Sequence, residues 1–107
     1  MTAQNGTRAL VYIRVSSGFG VDGQRERCLR EAMRAGWRVE AGDVYIDVGT
    51  EGGRAWRALR RRLLDDQSVA AVIAQDQTRV SQQRDVWLAI AAELRDLGVE
   101  LRTPSAS

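Results

Sequence analysis

Two stretches of this sequence are apolar without interruption: Ala9 to Ile13 reads ALVYI, and Val69 to Ala74 reads VAAVIA. A half-exposed element would interleave polar residues, so each run suits a strand covered on both faces. Neither approaches the roughly 20 residues needed to cross a bilayer. The intervening stretches have helical period. From about Gly23 to Ala35, Cys28, Leu29, Ala32 and Met33 recur on one face among charged residues, and Gly36 is a natural stop. A second helix is expected at about residues 55–65, with Trp56, Leu59, Leu63 and Leu64 inward. A third is expected from about Asp85 to Leu97, with Val86, Trp87, Ile90, Ala91, Leu94 and Leu97 inward and Gly98 ending it. Val39 to Asp47 reads as an interrupted strand, firmest at Val44, Tyr45 and Ile46, and Val99 to Arg102 as a short last strand. The order β-α-β-α-β-α-β implies a three-layer α/β domain whose mostly parallel sheet carries helices on both faces. Residues 1–7 are expected to be a flexible N-terminus, 8–104 the domain, and 105–107 a frayed tail.

In such a sheet the loops at the carboxyl ends of the strands form the functional edge. Here they are residues 15–22, 47–53 and 75–83, the last a polar loop or loop-to-helix junction. They hold Ser16, Ser17, Asp47, Asp76 and Arg79, with Arg54 directly after the second.

Composition narrows the chemistry. The 107 residues suit one domain, and 44% of them are hydrophobic. A single cysteine allows no internal disulfide, and the absence of histidine removes Ser-His-Asp and Cys-His catalysis and most zinc sites. The polar start MTAQNGTRAL has no signal-peptide core, so a soluble, cytoplasmic protein without membrane contact is expected. All 16 basic residues are arginine, whose planar fork matches phosphate oxygens, yet net charge is only +2 and arginine-rich codon usage explains most of them equally well.

The first strand ends in Tyr12-Ile13-Arg14-Val15-Ser16-Ser17. By strand alternation Tyr12, Arg14 and Ser16 share a side until the strand ends, so a bound phosphate would meet a guanidinium and a hydroxyl together. A serine pair after a strand also serves as a turn or helix cap. Asp47 can equally brace its glycine loop, Arg60-Arg61-Arg62 can line a solvated helix face rather than DNA, and Cys28, Trp37, Trp56 and Trp87 read as packing groups.

The string YIRVSS resembles the opening signature of the serine recombinase catalytic domain, Y-x-R-V-S-[ST]. Gln24 and Cys28 in GQRERCLREAMRAGW resemble that family's first helix, and YIDVGTEGGRAWRAL its strand, Asp-x-Gly loop and following arginine. QDQTRVSQ resembles the D-x-S-R-x-S-R variant of large serine integrases, and GVELRTP the last strand of the domain. The resemblance is collinear from about residue 8 to residue 104 and implies a resolvase-like fold. It implies a DNA recombinase that cleaves and rejoins strands through a 5′-phosphoserine link without cofactor or metal, as a homodimer or homotetramer in its active complex. Ser16 would be the nucleophile, Arg14 and Arg79 phosphate-binding partners, and Asp76 the acidic position. Arg54, or alternatively Arg57, would be the arginine after the glycine loop. Where the family pattern has a final arginine, this chain has Gln82, so that either Arg84 substitutes, or activity is reduced, or this copy is degenerate. Family members usually continue into a long helix and a DNA-binding module, so site-specific DNA recognition is expected to lie outside these residues.

Two rivals remain at this level. A non-enzymatic relative would keep the fold as an oligomerisation or regulatory module, with Gln82 marking lost catalysis. A flavodoxin-like binding domain would need a phosphate-cradling glycine loop after the first strand, where glycines stand at 18, 20 and 23 without P-loop spacing.

Overall fold

The computed structural model describes residues 7–49 and 51–104; most of the expected flexible start and the whole of the tail at 105–107 lie outside them. The strands are β1 (Arg8–Val15), β2 (Val44–Val48), β3 (Val69–Ala74) and β4 (Glu100–Arg102). The helices are α1 (Val21–Ala35), α2 (Arg54–Asp65), the single turn α3 (Gln77–Val80) and α4 (Arg84–Asp96). All four strands pair in parallel in the order β2-β1-β3-β4, so the two apolar runs lie side by side at the centre.

The alternation of β1 divides the interior in two. Ala9, Val11, Ile13 and Val15 point to one face, where Cys28 and Ala32 of α1 cover them together with Ala71 and Ile73 of β3. Leu10 and Tyr12 point to the other, against Trp56, Leu59 and Leu63 of α2 and Leu94 of α4. This is why the central runs contain no polar residue: both faces of the sheet are roofed. Burial pushes the Cys28 thiol up to about 12, which leaves it an inert packing group.

Several expectations are corrected. The second strand begins only at Val44, because Ala41–Asp43 folds as a 3₁₀ turn closed reciprocally by Glu40 and Asp43. Before it, Arg38 makes a single parallel bridge to Arg8. The segment at 75–83, expected as a loop or loop-to-helix junction, agrees with that expectation: it holds the single turn α3 and leads into α4. Leu64 is 68% exposed, and Val86 and Leu97 are also exposed, so the apolar stripes of α2 and α4 are wider than the surface each helix covers. The helix stop at Gly36 holds: φ is +83°, a conformation that side chains rarely tolerate, and its N–H reaches back to Met33.

Candidate active site

The carboxyl ends of β1, β2 and β3 gather the site residues, and Arg14 ties them together. It stands one residue before the end of β1, opposite Asp47 of β2. Its guanidinium donates through Nε to the Arg79 carbonyl at 3.0 Å and through Nη1 to the Gly49 carbonyl at 2.9 Å, while Nη2 reaches the Thr78 carbonyl. One side chain thus clamps the loop after β2 and the turn α3 after β3 to the end of the central strand.

The Arg14 carbonyl is an acceptor in its turn. It receives Nη1 of Arg79 at 3.3 Å and Nε2 of the buried Gln24 at 3.0 Å. Arg79 and Arg14 therefore hold each other's backbones, two residues before Ser16. Ser16 follows β1 directly and is exposed. The carbonyl just before it, that of Val15, accepts the Gly49 N–H at 2.8 Å, so the hydroxyl-bearing residue is anchored from the β2 side. The buried Nε of Arg79 has no hydrogen-bond partner among the described residues; the nearest carboxylate oxygen, Oδ2 of Asp76, is 3.8 Å away. A buried donor without an acceptor costs about 1–3 kcal/mol, which an additional oxygen acceptor would relieve.

Asp76 caps α3 by accepting the Thr78 N–H at 3.0 Å and the Thr78 hydroxyl. Burial disfavours its charge, but the Thr78 hydroxyl and the nearby Arg79 outweigh that and hold the carboxyl below its ordinary value. A folded value below the unfolded one adds stability above the ordinary carboxylate range, and that stability is lost as pH falls through the folded value. The stability gap between the parent and Asp76→Asn should therefore be largest at neutral pH and shrink below about pH 4. Denaturant titrations at several pH values check this, and a gap constant down to pH 2 would contradict it.

Asp47, left open between brace and catalyst, is a brace. It is 8% exposed, accepts the Tyr12 hydroxyl at 2.7 Å, and takes the N–H groups of Ala55 and Trp56 at 2.9 and 3.0 Å. It thus caps α2 from outside the helix. The packing is close enough to exclude a side chain at Gly53, where a Cβ would fall 2.6 Å from the Asp47 carboxylate carbon. Burial, then the hydrogen bond to Asp47, raises the Tyr12 hydroxyl above its ordinary value, so it remains a donor.

The remaining candidates are dispersed. Arg54 opens α2 and is exposed, while Arg57, one turn later, donates to the Gly52 carbonyl at 3.2 Å. Of the three consecutive arginines, Arg60 pairs with Glu93, and Arg62 with Asp43 at 2.8 Å and Asp66 at 3.3 Å. Gln82 does not continue the helical turn from Arg79, because α3 ends at Val80 and Ser81 is extended at φ −157°. Its side chain is exposed and its N–H is taken by the Glu51 carboxylate at 2.8 Å. The sequence reading missed Glu51, Gln24 as a carbonyl anchor, and the exposed Phe19. Glu51 and Phe19 lie in loops, and only the folded arrangement reveals their neighbours.

Among the described residues, no group of three or more His, Cys, Asp or Glu side chains is placed to hold a metal ion, and no helix is long and apolar enough to cross a membrane. The fold is that of the catalytic domains of serine recombinases. The chain belongs to the resolvase family: the family model described as Resolvase, N terminal domain, matches residues 9–107. Solved structures agree on the fold. The N-terminal catalytic domain of TP901-1 integrase superposes with a TM-score of 0.75 at 24% identity, covering 90% of this chain and 75% of that one. The C-terminal catalytic domain of ISC1926 TnpA, an IS607-like serine recombinase, gives 0.77 at 20% identity, covering 94% and 71%. The first open reading frame of transposon ISC1904 from Sulfolobus solfataricus P2 gives 0.70 at 17% identity, covering 94% and 69%. No curated protein sequence matches the chain.

Proposed function

We propose that this chain, through a catalytic domain spanning residues 8–104, cleaves and rejoins DNA strands. The Ser16 hydroxyl attacks a phosphodiester, forms a 5′-phosphoserine link and releases a 3′-hydroxyl; the reverse attack rejoins the strand. The link conserves the bond energy, so the reaction consumes no nucleotide. The observation that carries this reading is the placement of an exposed Ser16 at the end of β1, two residues past the carbonyl that Arg79 holds at 3.3 Å. Phosphoryl transfer builds charge on non-bridging oxygens, and positioned guanidinium groups stabilise it without histidine. Arg79 contributes its charge here, and its partnerless, buried Nε reaches a phosphate only if the side chain turns outward. Arg54 at the α2 N-terminus supplies a second cation, and Asp76 orients Arg79. Arg14 serves first as the clamp on the loops and can turn to phosphate only by releasing carbonyls. The active assembly is a homodimer or homotetramer on cytoplasmic DNA.

The test is covalent capture. A nicked duplex that lets one strand diffuse away after attack should leave protein joined to DNA, with the adduct mapped by mass spectrometry to Ser16. The protein should be joined to a DNA-binding module for this measurement. An adduct at any other residue, or none at any protein concentration, would count against the assignment.

A further inference from the structure

Both hydrophobic clusters of the domain form without its single phenylalanine. Phe19 lies in the link between β1 and α1 with 85% of its surface in solvent. The link reads Ser16-Ser17-Gly18-Phe19-Gly20 and carries no charge. A Cβ built on Gly18 would meet nothing within 4 Å, so the link stands clear of the rest of the domain at that residue. On the adjacent strand Val48 is 63% exposed and stands in register with Val15, the residue before Ser16. The exposed serine thus lies three residues before the ring on one uncharged link, at an edge whose charged groups include Arg14 and Arg79.

Resting on the reading of this edge as a DNA cleavage site, we propose that Phe19 contacts the substrate as a base-stacking residue. Its ring stacks on a nucleobase close to the phosphate that Ser16 attacks and so fixes the position of the strand. Three residues of extended chain span at most about 11 Å. Nucleotides repeat at about 3.4 Å along a strand, and the two side chains add several ångströms of reach, so the base lies within about five nucleotides of the scissile phosphate. The arginines hold the backbone, which carries no sequence information, while the ring meets the π-face that every base offers. Apolar side chains that enter between base steps also unstack and bend a duplex, which opens the backbone to attack. A protein occupant fits less well. One ring and one valine fall far short of the roughly 800 Å² per partner that stable interfaces bury.

The experiment uses the chain joined to a DNA-binding module, as in the capture test, with the module alone as reference and a short duplex carrying the module's site next to a central nick with 2-aminopurine beside it, at low salt. Phe19→Ala should weaken binding, read by fluorescence anisotropy, about 5- to 100-fold. It should also abolish the change in 2-aminopurine emission that the parent produces. Phe19→Trp should restore both, and thermal unfolding should be unchanged because the ring packs against neither cluster. Arg54→Ala tests the underlying reading separately by lowering the slope of binding against salt by about one. If the joined parent binds the duplex no more tightly than the module alone, the cleavage-site reading and this proposal fall together. If the parent binds and Arg54→Ala changes the salt slope, but Phe19→Ala matches the parent in affinity and emission, the proposal alone is overturned. It is equally overturned if Phe19→Ala changes only self-association in sedimentation, which would make the ring a protein contact.

Discussion

Gln82→Arg is expected to raise strand cleavage on the order of 10²–10³-fold in protein joined to a DNA-binding module, and Ser16→Ala to abolish it. That factor is typical of one oriented charged or hydrogen-bonding contact in the transition state. A glutamine can donate to phosphate but brings no charge, and charge-assisted bonds are roughly twice as strong as neutral ones. The geometry differs from a simple helical repeat. Since Ser81 is extended, position 82 projects from the link between α3 and α4 rather than from the turn that carries Arg79. The nearest acid is Glu51, already engaged with the Gln82 N–H. An arginine there would meet Glu51 first, but an exposed ion pair is worth only about 0–1 kcal/mol and yields to a phosphate. Cleavage that survives Ser16→Ala would show the nucleophile to be another residue. An unchanged rate for Gln82→Arg beside an active parent would assign the role to Arg84, which is exposed at the start of α4. Inactivity of both would favour the non-enzymatic rival.

Asp47→Ala is expected to lower folding stability by about 2–4 kcal/mol. It removes an N-terminal cap worth about 1 kcal/mol and strands the Tyr12 hydroxyl, whose residue is 1% exposed, at about 1–3 kcal/mol. Domains of this kind hold only about 5–15 kcal/mol in total, so the urea midpoint should fall visibly. Asp47→Asn keeps acceptor capacity and should lose less. An unchanged midpoint for Asp47→Ala would refute the brace. A destabilised variant with full cleavage per folded molecule would confirm that Asp47 takes no part in the chemistry.

The two findings separate what the sequence displays from what it hides. The β1 and β3 runs announce central strands because coverage on both faces forbids polar residues there. Gly36 and Gly98 announce helix ends because their positive φ values suit glycine. The short elements are less visible. The α3 turn spans only Gln77–Val80 and is stabilised by the Asp76 cap, so no periodicity builds up over it. The pattern of α4 marks six apolar positions as inward, yet only Leu94 is fully buried, because periodicity gives the direction of a stripe and not the width of what covers it. The resemblance places Ser16, Arg14, Arg79, Arg54 and Asp76, and the structure brings four of them to one sheet edge, with Arg54 at the helix that opens beside it. That Arg14 is occupied by carbonyls of residues 49, 78 and 79 was not legible. Backbone acceptors have no signature in a sequence, since every residue carries one.

The central place of β1 also sets a timetable for synthesis. Of the strands of this domain β1 is made first, but its partner on one side, β3, follows roughly sixty residues later. At about 5–20 residues per second, this leaves β1 half-paired for several seconds. During that interval its open edge and uncovered faces offer the same hydrogen bonds and apolar surface to other nascent chains. The domain is therefore expected to be most vulnerable to aggregation while it is being made, and a chaperone that shields the first few dozen residues would protect it most.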